Sequence, residues 1–166
     1  MNTLTRTDRP SPDAALPCVD ALELLAHGHD QTRALADECR RFSGCFAADR
    51  DIRPLAETLC HAIHRLAELE EELFYPAARA ALAGGNEIEL AALEHATARE
   101  IIRQMQQADP CEARYEALVV ALANCVERHA RHEQGELFPR VRESSMDLAE
   151  LGERLSARQR ELEATH

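Results

Sequence analysis

The sequence predicts an all-α protein, an up-down-up-down antiparallel four-helix bundle with a short extra C-terminal helix. Ala, Leu, Glu and Arg dominate the composition and aromatic residues make up only 4% of it, a balance that favours helices over sheets. Apolar residues recur every three to four positions along the long segments that follow the N-terminal residues. Only short connections separate these segments, so sequential helices are expected to be antiparallel neighbours.

The chain has 166 residues, which is the size of one domain with its own hydrophobic core. Residues 1–17 contain three prolines and predict a flexible N-terminal arm. The bundle is expected to occupy residues 18–142, and a C-terminal helix and tail are expected over residues 143–166.

The first helix is predicted to begin near Cys18 and to run to about Ser43, where Gly44 can end it. A polar connection leads to Pro54, which suits the first turn of a second helix. That helix is expected to end near the glycine pair 84–85. The predicted inward faces carry Leu22, Leu25, His29, Thr32 and Ala36 in the first helix, and Leu55, Leu59, Ile63, Leu66, Glu70 and Leu73 in the second.

The third helix is predicted from about Asn86 to the Asp-Pro pair 109–110. The fourth has its stripe over residues 118–137 and fades beyond Pro139, and a shorter terminal helix is expected over residues 146–164. The predicted inward faces carry Ile88, Ala91, His95, Ile102 and Met105 in the third helix, and Leu118, Leu122, Val126, His129, Glu133 and Leu137 in the fourth.

Each of these apolar stripes is interrupted by polar residues that would lie at the middle of the bundle. A buried carboxylate is costly because desolvation disfavours its charged form. Several buried carboxylates and imidazoles at one level therefore call for a shared partner, and a metal ion is the simplest one. The interrupting residues are His29, Glu70, His95, His129 and Glu133.

The sequence contains one helical hairpin twice, which strengthens this interpretation. The second helix contains LAELEEELFYP and the fourth contains HARHEQGELFP. Aligned on their prolines, Glu70 matches Glu133, while His129 falls opposite Leu66. Because His129 and Glu133 are four residues apart, they share one helix face and both can reach one metal.

These segments resemble the hemerythrin-like, or HHE cation-binding, domains over roughly residues 20–142. The resemblance rests on LLAHGHDQTRAL, ELEEELFYP, LEHATAREI and HARHEQGELFP. It implies a four-helix bundle with a non-haem di-iron centre that binds or senses oxygen or nitric oxide, or that takes part in iron and redox homeostasis. Carried over by position, the implied metal ligands are His29, Glu70, His95, His129 and Glu133.

Leu66 departs from the pattern of that family, which has a histidine one turn before the first glutamate. The chain therefore offers three histidines and two glutamates for one or two irons, and another divalent metal fits the same donor types. Two alternatives stay open: a degenerate, metal-free bundle that acts as an interaction scaffold, and a di-iron enzyme of oxidase or peroxidase type. In the metal-free alternative, Arg33 and Arg99 would pair with the buried carboxylates.

The remaining histidines and cysteines are expected to be structural. His27, His61 and His64 lie off the inward stripes, His132 lies closer to one, and Cys125 precedes His129 by one turn. The six cysteines contain no CxxC pair and predict buried, reduced thiols.

A formal charge of −11 repels a phosphate backbone and argues against nucleic-acid binding as the main activity. No apolar run is long enough for a membrane span and no signal peptide is evident, so we expect a cytoplasmic protein. The expected partner is a small diatomic molecule, oxygen or nitric oxide, with a homodimer possible.

Overall fold

The computed structural model describes residues 20–43 and 51–164, and within these ranges the regular structure is entirely helical. The predicted arm at residues 1–17, the predicted stop at Gly44, and Cys18 and Cys45 lie outside the described residues. The helices are α1 (Ala21–Ser43), α2 (Arg53–Leu69), α3 (Tyr75–Ala81), α4 (Glu87–Gln107), α5 (Ala113–His132), α6 (Phe138–Glu143) and α7 (Leu148–Ala164), with a first π-turn (Glu70–Phe74) between α2 and α3 and a second π-turn (Glu133–Leu137) between α5 and α6.

These elements form four rods: α1; α2 with the first π-turn and α3; α4; and α5 with the second π-turn and α6. Their buried apolar residues form two clusters. The first cluster includes Leu22, Leu25, Leu69, Phe74, Ile88, Ala91, Leu137 and Phe138. The second cluster includes Ala36, Cys39, Ala56, Leu59, Ala98, Ile102, Met105, Val119 and Leu122. Along the chain, successive rods meet these clusters in opposite order, so the rods alternate in direction.

The C-terminal helix α7 packs against α1 and α2. It begins after Asp147, whose Oδ1 accepts a hydrogen bond of 2.9 Å from the backbone N–H of Glu150 and so caps the helix. Leu151, Leu155 and Leu162 of α7 belong to the first cluster. The predicted all-α bundle with an extra C-terminal helix is confirmed, and the side chains of this helix share the core of the bundle.

Two rods contain a π-turn instead of the continuous α-helix that the sequence predicts. The backbone N–H of Tyr75 bonds to the carbonyl of Glu70, and that of Phe138 bonds to the carbonyl of Glu133, five residues back in both cases. A proline follows each of these aromatic residues. Because proline has no N–H and its ring collides with the carbonyl four residues earlier, each helix widens at this point.

The ends of the rods differ from the predicted ends in two places. The second rod stops at Ala81, and the chain then turns through Gly84 and Gly85, whose φ angles of +77° and +109° favour glycine. The fourth rod does not fade at its proline but continues to Glu143. No helix in residues 20–43 or 51–164 combines the length and the apolar character needed to cross a membrane.

Candidate metal centre

A buried polar layer lies between the two apolar clusters, and all four rods contribute to it. The side chains of His29, Glu70 and Glu133 are completely buried, and those of His95 and His129 are nearly so. Both glutamates are the first residues of the π-turns. The π-turns are therefore the local structure that places each carboxylate at the level of the histidines.

Four of the predicted ligands form the tightest group in this layer. His29, Glu70, His129 and Glu133 each offer one nitrogen or oxygen atom, and these atoms all lie within 4.8 Å of one another. His95 adjoins this group, because its Nε2 is 3.1 Å from Glu70 Oε2 and 3.3 Å from His129 Nε2. The structure thus brings all five predicted residues together.

The donor atoms lie close together, but most of them do not pair with one another through hydrogen bonds. Glu70 Oε1 is 3.0 Å from His29 Nε2, and Glu133 Oε2 is 3.6 Å from the same nitrogen. Even so, both Glu70 oxygens, Glu133 Oε2 and both ring nitrogens of His29 lack a hydrogen bond of suitable geometry. Buried polar atoms are normally paired, and a cation between these atoms would satisfy most of them. The residues present therefore fit a metal ion.

The two carboxylates have opposite electrostatic properties in the metal-free protein. Burial alone would raise the pKa of Glu70, but the imidazoles of His129, His29 and His95 outweigh it and hold this pKa well below its usual value. Burial, followed by the negative charge of Glu70, raises the pKa of Glu133 well above its usual value. Glu70 is thus ionised and Glu133 retains its proton. A bound cation would favour the ionised form of both carboxylates.

Two further glutamates hold the outer nitrogens of the histidines. Glu94 Oε2 is 3.3 Å from His129 Nδ1, and Glu71 Oε1 is 2.8 Å from His95 Nδ1. Such carboxylate–histidine pairs fix the ring orientation and leave Nε2 free for a metal. Burial would lower the pKa of His129, but its contacts with Glu70 and Glu94 raise it well above the usual value.

Glu94 is also the centre of a small charged network on the α4–α5 face. Its Oε1 accepts a hydrogen bond of 3.0 Å from Arg128 Nε, and its Oε2 lies 3.4 Å from Nδ1 of the buried His132. Although burial would raise the pKa of Glu94, the contacts with His129 and Arg128 lower it. Glu94 therefore stays ionised, and its charge can orient the His129 imidazole.

We expect Glu94→Gln to weaken metal binding by about 10- to 100-fold, because the loss of an orienting carboxylate frees the His129 ring. Metal affinity of the purified protein, measured by competition with a chelator, tests this. The control is Glu89→Gln, which removes an exposed α4 carboxylate that also pairs with an arginine, Arg79. Equal affinities of the two variants would show that Glu94 does not position His129.

Tyr75 is a site residue to which the sequence analysis assigned no function. Its hydroxyl donates a hydrogen bond of 2.6 Å to Glu133 Oε1 and lies 3.3 Å from His95 Nε2. Burial, followed by the charge of Glu70, raises the pKa of Tyr75, so the phenol keeps its proton. The equivalent residue of the other hairpin, Phe138, stacks on the His29 ring at 5.7 Å. The sequence feature that could have indicated a role for Tyr75 is its position directly after the Leu-Phe pair that follows Glu70.

The other sequence-based expectations for polar residues divide into confirmed and corrected ones. As expected, His27, His61 and His64 are exposed and lie away from the ligands. Glu71 is outside the predicted apolar stripes, yet it contacts His95 and forms a short ion pair with Arg99. The metal-free alternative expected arginines on the buried carboxylates, but these arginines pair elsewhere, with Arg33 2.8 Å from Glu127.

The described cysteines are thiols and none of them forms a disulfide. Burial raises the pKa values of both Cys39 and Cys60 to about 11, so their thiols are protonated at neutral pH and unreactive. Cys125 is buried, and its sulfur lies 3.2 Å from Arg128 Nη2. This fits the expectation of reduced thiols for these residues, although Cys111 is exposed.

Comparison with known proteins adds family and fold information. The hemerythrin HHE cation binding domain family matches residues 20–164 of the chain. A hemerythrin HHE cation binding domain-containing protein from Mycobacterium kansasii, an Rv2633c homolog, has a similar crystal structure, with a TM-score of 0.74 at 24% identity over 89% of each chain. At this identity the likeness shows the fold. No curated protein matches the chain.

Proposed function

Because the chain belongs to the hemerythrin HHE cation-binding family, we propose that it binds non-haem iron, which interacts with oxygen or nitric oxide in the cytoplasm. In this proposal the protein binds or senses the gas, or takes part in iron and redox homeostasis, and is not primarily an enzyme. The proposed ligands are His29, Glu70, His95, His129 and Glu133.

The observation that carries the proposal is the group of buried, unpaired donor atoms in the polar layer. Both Glu70 oxygens, Glu133 Oε2 and the His29 ring nitrogens have no aligned partner although other donors surround them. Imidazole and carboxylate suit iron, manganese and zinc alike. Iron is preferred because of the family, and Leu66 supplies no donor atom one turn before Glu70.

Bound iron would supply redox chemistry and an open coordination position, while the protein's own residues control the surroundings. Glu71 and Glu94 orient the rings of His95 and His129. The Tyr75 hydroxyl holds its proton against Glu133 Oε1 and so fixes that carboxylate. The two apolar clusters on either side restrict water, which strengthens the electrostatic interactions within the layer.

Elemental analysis and visible spectroscopy of protein purified after expression with iron test this proposal. We expect about one or two irons per chain, absorption that changes on addition of oxygen or nitric oxide, and a higher melting temperature for the loaded protein. Folded protein that takes up no metal would contradict the proposal and favour a helical scaffold. Loaded protein that turns over peroxide or oxygen catalytically would instead favour the enzyme.

The affinity for metal is expected to rise with pH. In the metal-free protein the pKa values of Glu133 and His129 are raised well above their usual values, so both groups carry protons at neutral pH. A metal binds only their deprotonated forms and must displace these protons. Each released proton makes the affinity increase on the order of tenfold per pH unit until the group has lost its proton.

Isothermal titration of metal-free protein in buffers of different ionisation enthalpy counts the released protons directly. We expect net proton release near neutral pH and weaker binding as the pH falls. An affinity that does not change between about pH 6 and pH 8 would contradict the assignment of protonated Glu133 and His129.

A further inference from the structure

A groove of about 340 Å³ lies among α1, α2 and α7, on the outer side of the second rod. Its floor is apolar, with Leu24, Leu66, Leu69 and Leu162, while charged and amide side chains line its rim. Two rim residues, His27 and Gln31, contact each other at 2.9 Å. The residues that line the groove take no part in the interactions of the polar layer.

A second, much smaller cavity of about 30 Å³ lies beside the proposed ligands. Glu70, Glu94, His95 and His129 line it on the polar side. Its other walls are mostly small or apolar residues: Thr32, Ile63, Leu66, Ala67, Ala98, Cys125 and Val126. A space of this size accommodates one or two atoms of a small molecule next to the donor atoms.

Leu66 is the single residue that lines both the groove and the cavity in the part of the chain that the structure describes. Its side chain is 8% exposed and rests against Gly28. A Cβ atom at position 28 would lie 2.9 Å from Leu66 Cδ1, so the glycine provides the space that this side chain occupies. The Leu66 side chain thus borders both spaces, the groove and the cavity beside the proposed ligands.

We infer that the groove is an access route to the metal site and that Leu66 is its gate, which admits small uncharged molecules. The apolar floor offers no partner to an ion. Glu23 and Glu163 outnumber Arg65 at the rim, and the chain has a net charge of −11, so anions are repelled. In this proposal the Leu66 side chain lies between the two spaces and moves aside when a molecule passes.

The inference rests on the proposed function for its ligand, and the first experiment uses iron-loaded protein. Stopped-flow absorption measures the rate at which nitric oxide reacts with the ferrous protein. We expect Leu66→Ala to increase this rate about tenfold, because side-chain motion no longer limits passage. Gly28→Ala should decrease the rate, since its methyl group fills the groove side and presses Leu66 toward the cavity.

The control is Leu155→Ala, which makes the same truncation at a fully buried residue of α7 that lines neither space. Its rate should equal that of the wild type. Unchanged rates in both Leu66→Ala and Gly28→Ala, with unchanged iron content, would contradict the inference that Leu66 is a gate. If Leu66→Ala does not fold, the slower reaction of Gly28→Ala alone decides the outcome.

A second experiment needs no metal and so separates the gate from the proposed function. Cys125 lines the cavity and is only 4% exposed. Methyl methanethiosulfonate, a small uncharged reagent, adds a methylthio group to thiols, and peptide mass spectrometry measures its rate at each cysteine. We expect faster labelling of Cys125 in metal-free Leu66→Ala than in Leu155→Ala, with equal labelling of exposed Cys111. Equal labelling of Cys125 would overturn the gate even if the protein binds iron.

Discussion

Replacing Glu70 with glutamine is expected to abolish metal binding, with an affinity at least about a hundredfold weaker, or about 2.7 kcal/mol of binding free energy. Glu70 is completely buried among the imidazoles of the layer: His29, His95 and His129 all lie within 3.0–3.5 Å of its oxygens. Glutamine keeps the size of the side chain but has one oxygen and no charge. Metal content and chelator competition measure the loss.

The matched control for this substitution is Glu68→Gln on the same rod. Glu68 is exposed and two residues away, so its replacement should leave metal content unchanged. Helical content of both variants, from circular dichroism, shows whether the bundle is intact. A folded Glu70→Gln variant with normal metal content would rule out Glu70 as a ligand and with it the proposed site.

The second large effect is expected from Leu66→His, which should raise the metal content per chain and tighten binding about tenfold, or about 1.4 kcal/mol. Leu66 lies one turn before Glu70, and its side chain borders the cavity that Glu70, His95 and His129 also line. A histidine there would supply the nitrogen donor that the other hairpin already has in His129. The visible spectrum should change together with the stoichiometry.

Ala62→His is the matched control, because Ala62 is on the same helix and borders the groove but not the cavity. It adds a histidine without adding a donor to the layer. Equal metal content in wild type, Leu66→His and Ala62→His would mean that position 66 cannot reach the metal. The unfolding temperature of the metal-free variants shows whether a buried imidazole at position 66 destabilises the bundle.

The fold could be predicted well because helical periodicity and short connections leave few alternatives for a chain with this composition. The same periodicity predicted the convergence of the polar residues: His29, Glu70 and His95 interrupt apolar stripes, and such positions in a bundle face one another. The distances between the donor atoms of the polar layer could not be predicted from the sequence, because they depend on how the rods pack.

The residues around the ligands could not be predicted because they do not lie on the apolar stripes. Glu71 and Glu94 flank ligands at neighbouring positions, where a simple helical wheel turns them toward solvent. Contacts between rods bring each of them to a histidine of the next rod. Tyr75 was missed for a related reason, since a straight α-helix does not place it beside the site.

At each π-turn the helical phase changes, so the side chains before and after the turn lie on different faces of the rod. Each π-turn accommodates one residue more than an α-helical turn would, so the side chains after it are rotated by about 100° relative to a regular continuation. This brings Tyr75 and Phe138 inward, five residues after Glu70 and Glu133. Deleting one residue from either π-turn would return that rod to a single phase and swing its aromatic side chain out of the core. Insertions and deletions should therefore be tolerated far less here than in the connections between rods, and sequence alignments of this fold need a gap at these two positions when a relative has straight helices.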